Sequence, residues 1–145
     1  MSELLARLTQ DHRQLLKLVE ELETVCSMQS LKAGAVAPQP RAKELLAQLI
    51  ELMKTHGQRE FIELFPLLRS SLPKDDRWQI AMVEVQDEAF LAVAGHLYEW
   101  CQEHPGSLPV QRVREGIFRL GRWMREHISA EEERMFPRLE GQTRP

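Results

Sequence analysis

His56 to Pro66 reads HGQREFIELFP, and seventy-one positions later His127 to Pro137 reads HISAEEERMFP. Each copy carries a His, a Glu four residues on, a Phe nine residues on and then a Pro. Residues four apart lie one above the other on a helix, so His56 with Glu60, and His127 with Glu131, each offer an imidazole and a carboxylate from one face. Both pairs sit inside apolar stripes of helical spacing. One runs Leu46, Leu49, Met53, His56, Glu60, Leu64; the other runs Val113, Ile117, Leu120, Met124, His127, Glu131, Met135.

Two further stripes complete the pattern. Leu5, Leu8, His12, Leu15, Val19, Leu22 and Cys26 step by threes and fours, and adding seventy-five to each number gives Ile80, Val83, Asp87, Phe90, Ala94, Leu97 and Cys101. The chain therefore reads as two similar helix pairs. Connections fall at Ser27 to Pro40, Ser70 to Asp76 and Glu103 to Pro109, where Gly and Pro gather and the period is lost. Pro66 and Pro137 each remove a backbone donor and disfavour helix at the preceding Phe, so a kink or an end is expected there. Four helices over roughly 3–27, 41–69, 76–102 and 109–139, with no strand candidate, predict an all-α, antiparallel up-down-up-down four-helix bundle forming one domain over 1–145.

The polar insertion falls at the matching place in all four stripes: His12; His56 and Glu60; Asp87; His127 and Glu131. A single core His is ordinarily just hydrogen-bonded, and a single helix Glu ordinarily makes a weak surface pair. Three imidazoles and three carboxylates at one level of a core are another matter, because an unpaired buried ion costs several kcal/mol. A cation at their centre removes that cost. Imidazole and carboxylate donors without thiolate suit iron, manganese or zinc.

With 145 residues, 43% of them hydrophobic and 28% charged, the chain is long enough to bury a core. A formal net charge of −3 gives no basic footprint for nucleic acid or an anionic membrane. No uncharged run reaches the ~18 residues of a membrane span, and the start lacks a secretory pattern, so the expected location is cytoplasmic. Cys26 and Cys101 are too few for a disulfide framework. They occupy equivalent places on helices one and three, which are diagonal in such a bundle, so they are not expected to pair. Trp123 and Met124, one turn before His127, are expected to help shield the polar level from water; their repeat partners are Leu52 and Met53.

On these residues the chain resembles the hemerythrin-like, or HHE cation-binding, family. The resemblance covers nearly the whole chain and is carried by the two His-x-x-x-Glu segments ending in Phe-Pro and by Asp11-His12-Arg13. It implies a non-haem di-iron centre, with zinc or manganese as alternatives, held by His12, His56, Glu60, His127 and Glu131. The family's fourth-helix acid also occurs five residues after the His, which would select Glu132. Helix three departs from the family's His-x-x-x-His, having Asp87 and then Leu91. With Asp87 in place of the first His, His12 and His56 would face one metal, Asp87 and His127 the other, and Glu60 and Glu131 would bridge. Glu84 or Glu88 would substitute for Asp87 if the helix were rotated.

Three functions follow. The first is binding: sensing, carrying or buffering oxygen, nitric oxide or iron, with a small diatomic ligand or a metal ion as partner. The second is a di-iron carboxylate oxidoreductase of ferroxidase or peroxide-reducing type. The third is a helical interaction module with a structural metal or none. Oligomeric state, including a homodimer, is left open by the sequence.

Overall fold

Burial of the four stripes against one another builds the molecule. The computed structural model describes residues 2–31, 40–103 and 110–143. Its helices are α1 (Ser2–Leu31), α2 (Pro40–Arg59), α3 (Phe65–Ser71), α4 (Trp78–Glu103), α5 (Val110–Ala130) and α6 (Phe136–Thr143). A wide π turn, Glu60–Leu64, joins α2 to α3, and another, Glu131–Met135, joins α5 to α6, so these six segments make four rods. A short 3₁₀ turn, Lys74–Asp76, leads into α4. α1 packs on α2 and α5, α4 packs on the same two helices, and α1 and α4 stand across the diagonal.

The composition of the core fixes the chain directions. One buried cluster joins the end of α1 (Val19, Leu22, Cys26), the start of α2 (Ala42, Leu45, Leu49), the end of α4 (Ala94, Cys101) and the start of α5 (Val113, Ile117). The other joins the start of α1 (Leu4, Leu5, Leu8), α3 (Phe65, Leu68), the start of α4 (Ile80, Val83) and Met135 with Phe136 and Leu139. Successive rods therefore alternate in direction, as an up-down-up-down bundle requires. The polar level lies between the two clusters.

The rods do not end at Pro66 and Pro137, and the reason is physical. A proline ring in a regular helix collides with the carbonyl four residues back. Here Phe65 N–H reaches Glu60 O and Phe136 N–H reaches Glu131 O, five residues back, which widens the turn at that point. The side-chain spacing demands the same widening. His56, Glu60, Leu64 and Leu68 are all buried, as are His127, Glu131, Met135 and Leu139. Steps of four overrun a 3.6-residue turn by about 40° each, and the wide turn absorbs that drift. Leu72, in extended conformation, then ends α3, its N–H bonding to Leu68 O at 2.7 Å.

One expected boundary shifts. Ser27 to Leu31 belong to α1 instead of to the first connection, and residues 32–39 and 104–109 of the expected loops, His104 among them, lie outside the described residues. Cys26 and Cys101 are both buried and free. Among the described residues no helix is long and apolar enough to cross a membrane.

Candidate metal centre

All three imidazoles enter the core from different rods and turn one nitrogen toward the same carboxylate. His12 Nε2 lies 3.0 Å from Glu131 Oε2, and His127 Nε2 lies 2.7 Å from Glu131 Oε1. His56 Nε2 lies 2.9 Å from Glu60 Oε1 and 3.8 Å from Glu131 Oε2. Asp87 Oδ1 faces His127 Nε2 at 3.0 Å. Glu60 and Glu131 are fully buried, and His12, His56, Asp87 and His127 nearly so.

These atoms gather into two groups able to hold a cation. His12, His56 and Glu131 form one; Glu60, Asp87, His127 and Glu131 form the other, and the donor atoms within each lie within 4.8 Å of one another. Glu131 belongs to both. The six residues singled out in the sequence are thus brought together. Glu132 stands behind His12, Glu84 pairs with Arg69 at 3.2 Å, and Glu88 lies on the surface, so none of these three joins either group. His96 is exposed on α4.

The opposite nitrogen of each imidazole is held by a side chain from a neighbouring rod. His12 Nδ1 meets Glu132 Oε2 at 2.9 Å, His56 Nδ1 meets Asp11 Oδ2 at 3.0 Å, and His127 Nδ1 meets Gln86 Oε1 at 3.1 Å. Arg59 in turn donates to Asp11 at 2.6 Å. With Nδ1 held outward, each Nε2 faces inward, the orientation that a metal-binding imidazole needs once that nitrogen has lost its proton. Aromatic rings fix the planes: Phe136 stacks on His12 at 5.7 Å, and Trp123 on His127 at 5.0 Å and 7° from parallel. Met53 and Met124 are buried beside them. Asp11 and Gln86 escaped the sequence reading because each adjoins a stripe residue without lying on the stripe.

The fit to a cation follows from the atoms left without partners. His56 Nε2, both Glu60 oxygens, Asp87 Oδ1, His127 Nε2 and Glu131 Oε1 are buried with no partner outside the cluster, and several face one another at 2.7–3.0 Å. Buried polar atoms are nearly always bonded, and these six can satisfy one another only by retaining protons, which requires an account. A cation at their common centre supplies it, taking the place of those protons: atoms about 2.1 Å from one ion stand roughly 3 to 3.5 Å from each other.

The electrostatics agree. Burial alone would push His56 down, but the Asp11, Glu131 and Glu60 carboxylates outweigh it and push it up to about 12. His127, likewise depressed by burial, is raised to about 10 by Asp87 and Glu131. Burial raises Glu60, helped by the Glu131 charge, whereas Glu131 is held low against its burial by His12, His127 and His56. Without a cation the cluster retains protons to offset its carboxylates.

One side of the cluster approaches solvent. A groove of about 400 Å³ between α2 and α4 is lined by Met53, Gly57, Phe61, Phe65, Asp87 and Leu91, among others. Leu91 stands where the family pattern would place a second helix-three imidazole. The His12 side, by contrast, is capped by Phe136.

Comparison with curated proteins and with solved structures gave no match. The family model described as Hemerythrin HHE cation binding domain matches residues 3–139. With that span and a buried cluster able to hold a metal ion, the chain belongs to the hemerythrin HHE cation-binding family.

Proposed function

We propose that this chain binds a pair of non-haem iron ions and uses them to sense, carry or buffer a small species, namely oxygen, nitric oxide or iron itself. The observation that carries the reading is the set of six buried polar atoms, with no partner outside the cluster, shared between two donor groups with Glu131 in common. His12, His56 and Glu131 would hold one ion; Glu60, Asp87, His127 and Glu131 would hold the other. Iron supplies a centre that binds diatomic molecules and exchanges single electrons. Glu132, Asp11 and Gln86 keep the imidazoles turned inward, and Trp123, Met53, Met124 and Phe136 exclude water.

The two halves differ in donors and in access. The half with Asp87 is rich in carboxylate and adjoins the α2–α4 groove, and a small molecule would arrive there. Gly57 lines this groove with open space around the position of a Cβ, so Gly57→Leu fills the approach without disturbing the core. The test is the visible spectrum of reduced, iron-loaded protein mixed with nitric oxide and, separately, with oxygen. The reading expects a stoichiometric spectral response that Gly57→Leu slows. Loaded protein that responds to neither gas would overturn sensing or carrying, leaving iron buffering.

The carboxylate-rich half supports a second reading, an oxidoreductase, since carboxylate donors favour the higher oxidation state. Repeated turnover of peroxide or ferrous iron would select it; a single stoichiometric event would not.

A further inference from the structure

α4 has two apolar faces, and the bundle uses only one. Ile80, Val83, Phe90, Ala94 and Cys101 are buried in the core. On the other side of the same helix Trp78, Met82, Val85, Ala89, Val93, His96 and Trp100 all lie exposed and follow one another at steps of three and four. Such steps keep them on a single stripe.

The stripe is symmetric about its middle. Val85 and Val93 stand four residues to either side of Ala89, Met82 and His96 seven, and Trp78 and Trp100 eleven. An antiparallel copy of α4 related by a two-fold axis at Ala89 would therefore set Val85 against Val93, Met82 against His96 and Trp78 against Trp100. The smallest side chain falls at the crossing, where two helices approach most closely. A surface that matches itself under a two-fold rotation is what an isologous dimer requires.

Area favours the same occupant. Trp78 is 61% exposed, Met82 46%, Val85 61%, Val93 45% and Trp100 37%. On ordinary side-chain areas that is about 500 Å² of apolar surface on one copy, at the upper end for a monomer. Two copies would bury at most about 1,000 Å² from these residues, the threshold for a specific interface, with the flanking residues of α4 adding to it.

We propose that two copies of this chain pair antiparallel through the outer face of α4, about a two-fold axis at Ala89. The interface lies outside the metal-binding cluster, so it stands or falls independently of the iron reading. Sedimentation of the full chain up to roughly 100 μM tests it. The expected result is a dimer that Ala89→Arg, which sets two like charges on the axis, weakens at least a hundred-fold. Val85→Lys should weaken it likewise, with helical content and metal content unchanged in both. A cysteine cross-link between chains carrying Val85→Cys and chains carrying Val93→Cys, stronger than either makes alone, should report the antiparallel register. A wild-type monomer over that range, or a dimer that both charge substitutions leave intact, would overturn the proposal.

Discussion

Asp87 Oδ1 stands 3.0 Å from His127 Nε2, at the place in helix α4 where the family pattern has an imidazole. The carboxylate is buried, and that oxygen has no partner outside the cluster. A group kept in this state contributes to something it faces, and here it faces the Glu60, His127 and Glu131 donors. Replacing Asp87 by Ala should lower metal affinity by at least the roughly ten- to hundred-fold typical of losing a partner that only orients a ligand. His56→Ala should cost at least as much. Full metal content in Asp87→Ala, with His56→Ala depleted, would remove Asp87 from the ligand set.

The imidazole-orienting contacts predict a graded effect. Asp11→Ala, Gln86→Ala and Glu132→Ala each free one Nδ1, and each should reduce metal affinity by roughly ten- to a hundred-fold while the bundle stays folded. Asp11 should be the most damaging to fold stability, because its loss also strands Arg59. Metal titrations monitored beside helical circular dichroism separate the two effects. A Glu132→Ala variant that loses one of its metals outright would instead make Glu132 a direct ligand.

Loading should release protons. In the metal-free protein His56, raised to about 12, and His127, raised to about 10, are both charged at neutral pH. Metal donors must be deprotonated, so binding expels at least these two protons and affinity rises with pH. Calorimetry in buffers of different ionisation heat reads the number directly, and zero would contradict the assignment. Linkage fixes the sign for the metal-free fold as well. Both groups sit above their ordinary 6.5, so their contribution to stability is complete below that pH and is lost as pH rises through about 10 and then about 12.

The wide turn after Glu60 has two causes, and magnitudes decide between them. Pro66→Ala restores an N–H worth about 1 kcal/mol in a regular helix. Reverting to that helix would swing Leu64, Phe65 and Leu68 off the core, and each buried side chain is worth about 1.5–3 kcal/mol. Burial wins, so Pro66→Ala should keep the wide turn and metal affinity within about threefold, whereas Leu68→Ala should cost about 2–5 kcal/mol. A more than tenfold affinity loss in Pro66→Ala would show that proline, not packing, holds the turn.

The bundle and its polar level were legible in the sequence because both are written on stripe positions. His12, Asp87 and the two His-Glu pairs interrupt apolar series, and each series has one way to face a core. Asp11 and Gln86 were not legible, since a residue beside a stripe points inward or outward according to a few tens of degrees of helix rotation that spacing does not fix. The two wide turns were partly legible. Three successive steps of four, His56 to Leu68 and His127 to Leu139, overrun a regular helix, but the prolines left a kink and an end equally open. The outer stripe of α4 was hidden by the inner one, because a single period was enough to explain the helix.

The most direct test of the metal-binding account is the iron content of anaerobically purified protein, set beside that of Glu131→Ala. Glu131 is the donor common to both groups, so its loss should damage both positions together. Wild-type protein should hold about two irons per chain, one for each group, and the variant almost none. A wild-type chain holding a single zinc and no iron after growth and purification with iron, or a variant that keeps both irons, would contradict it.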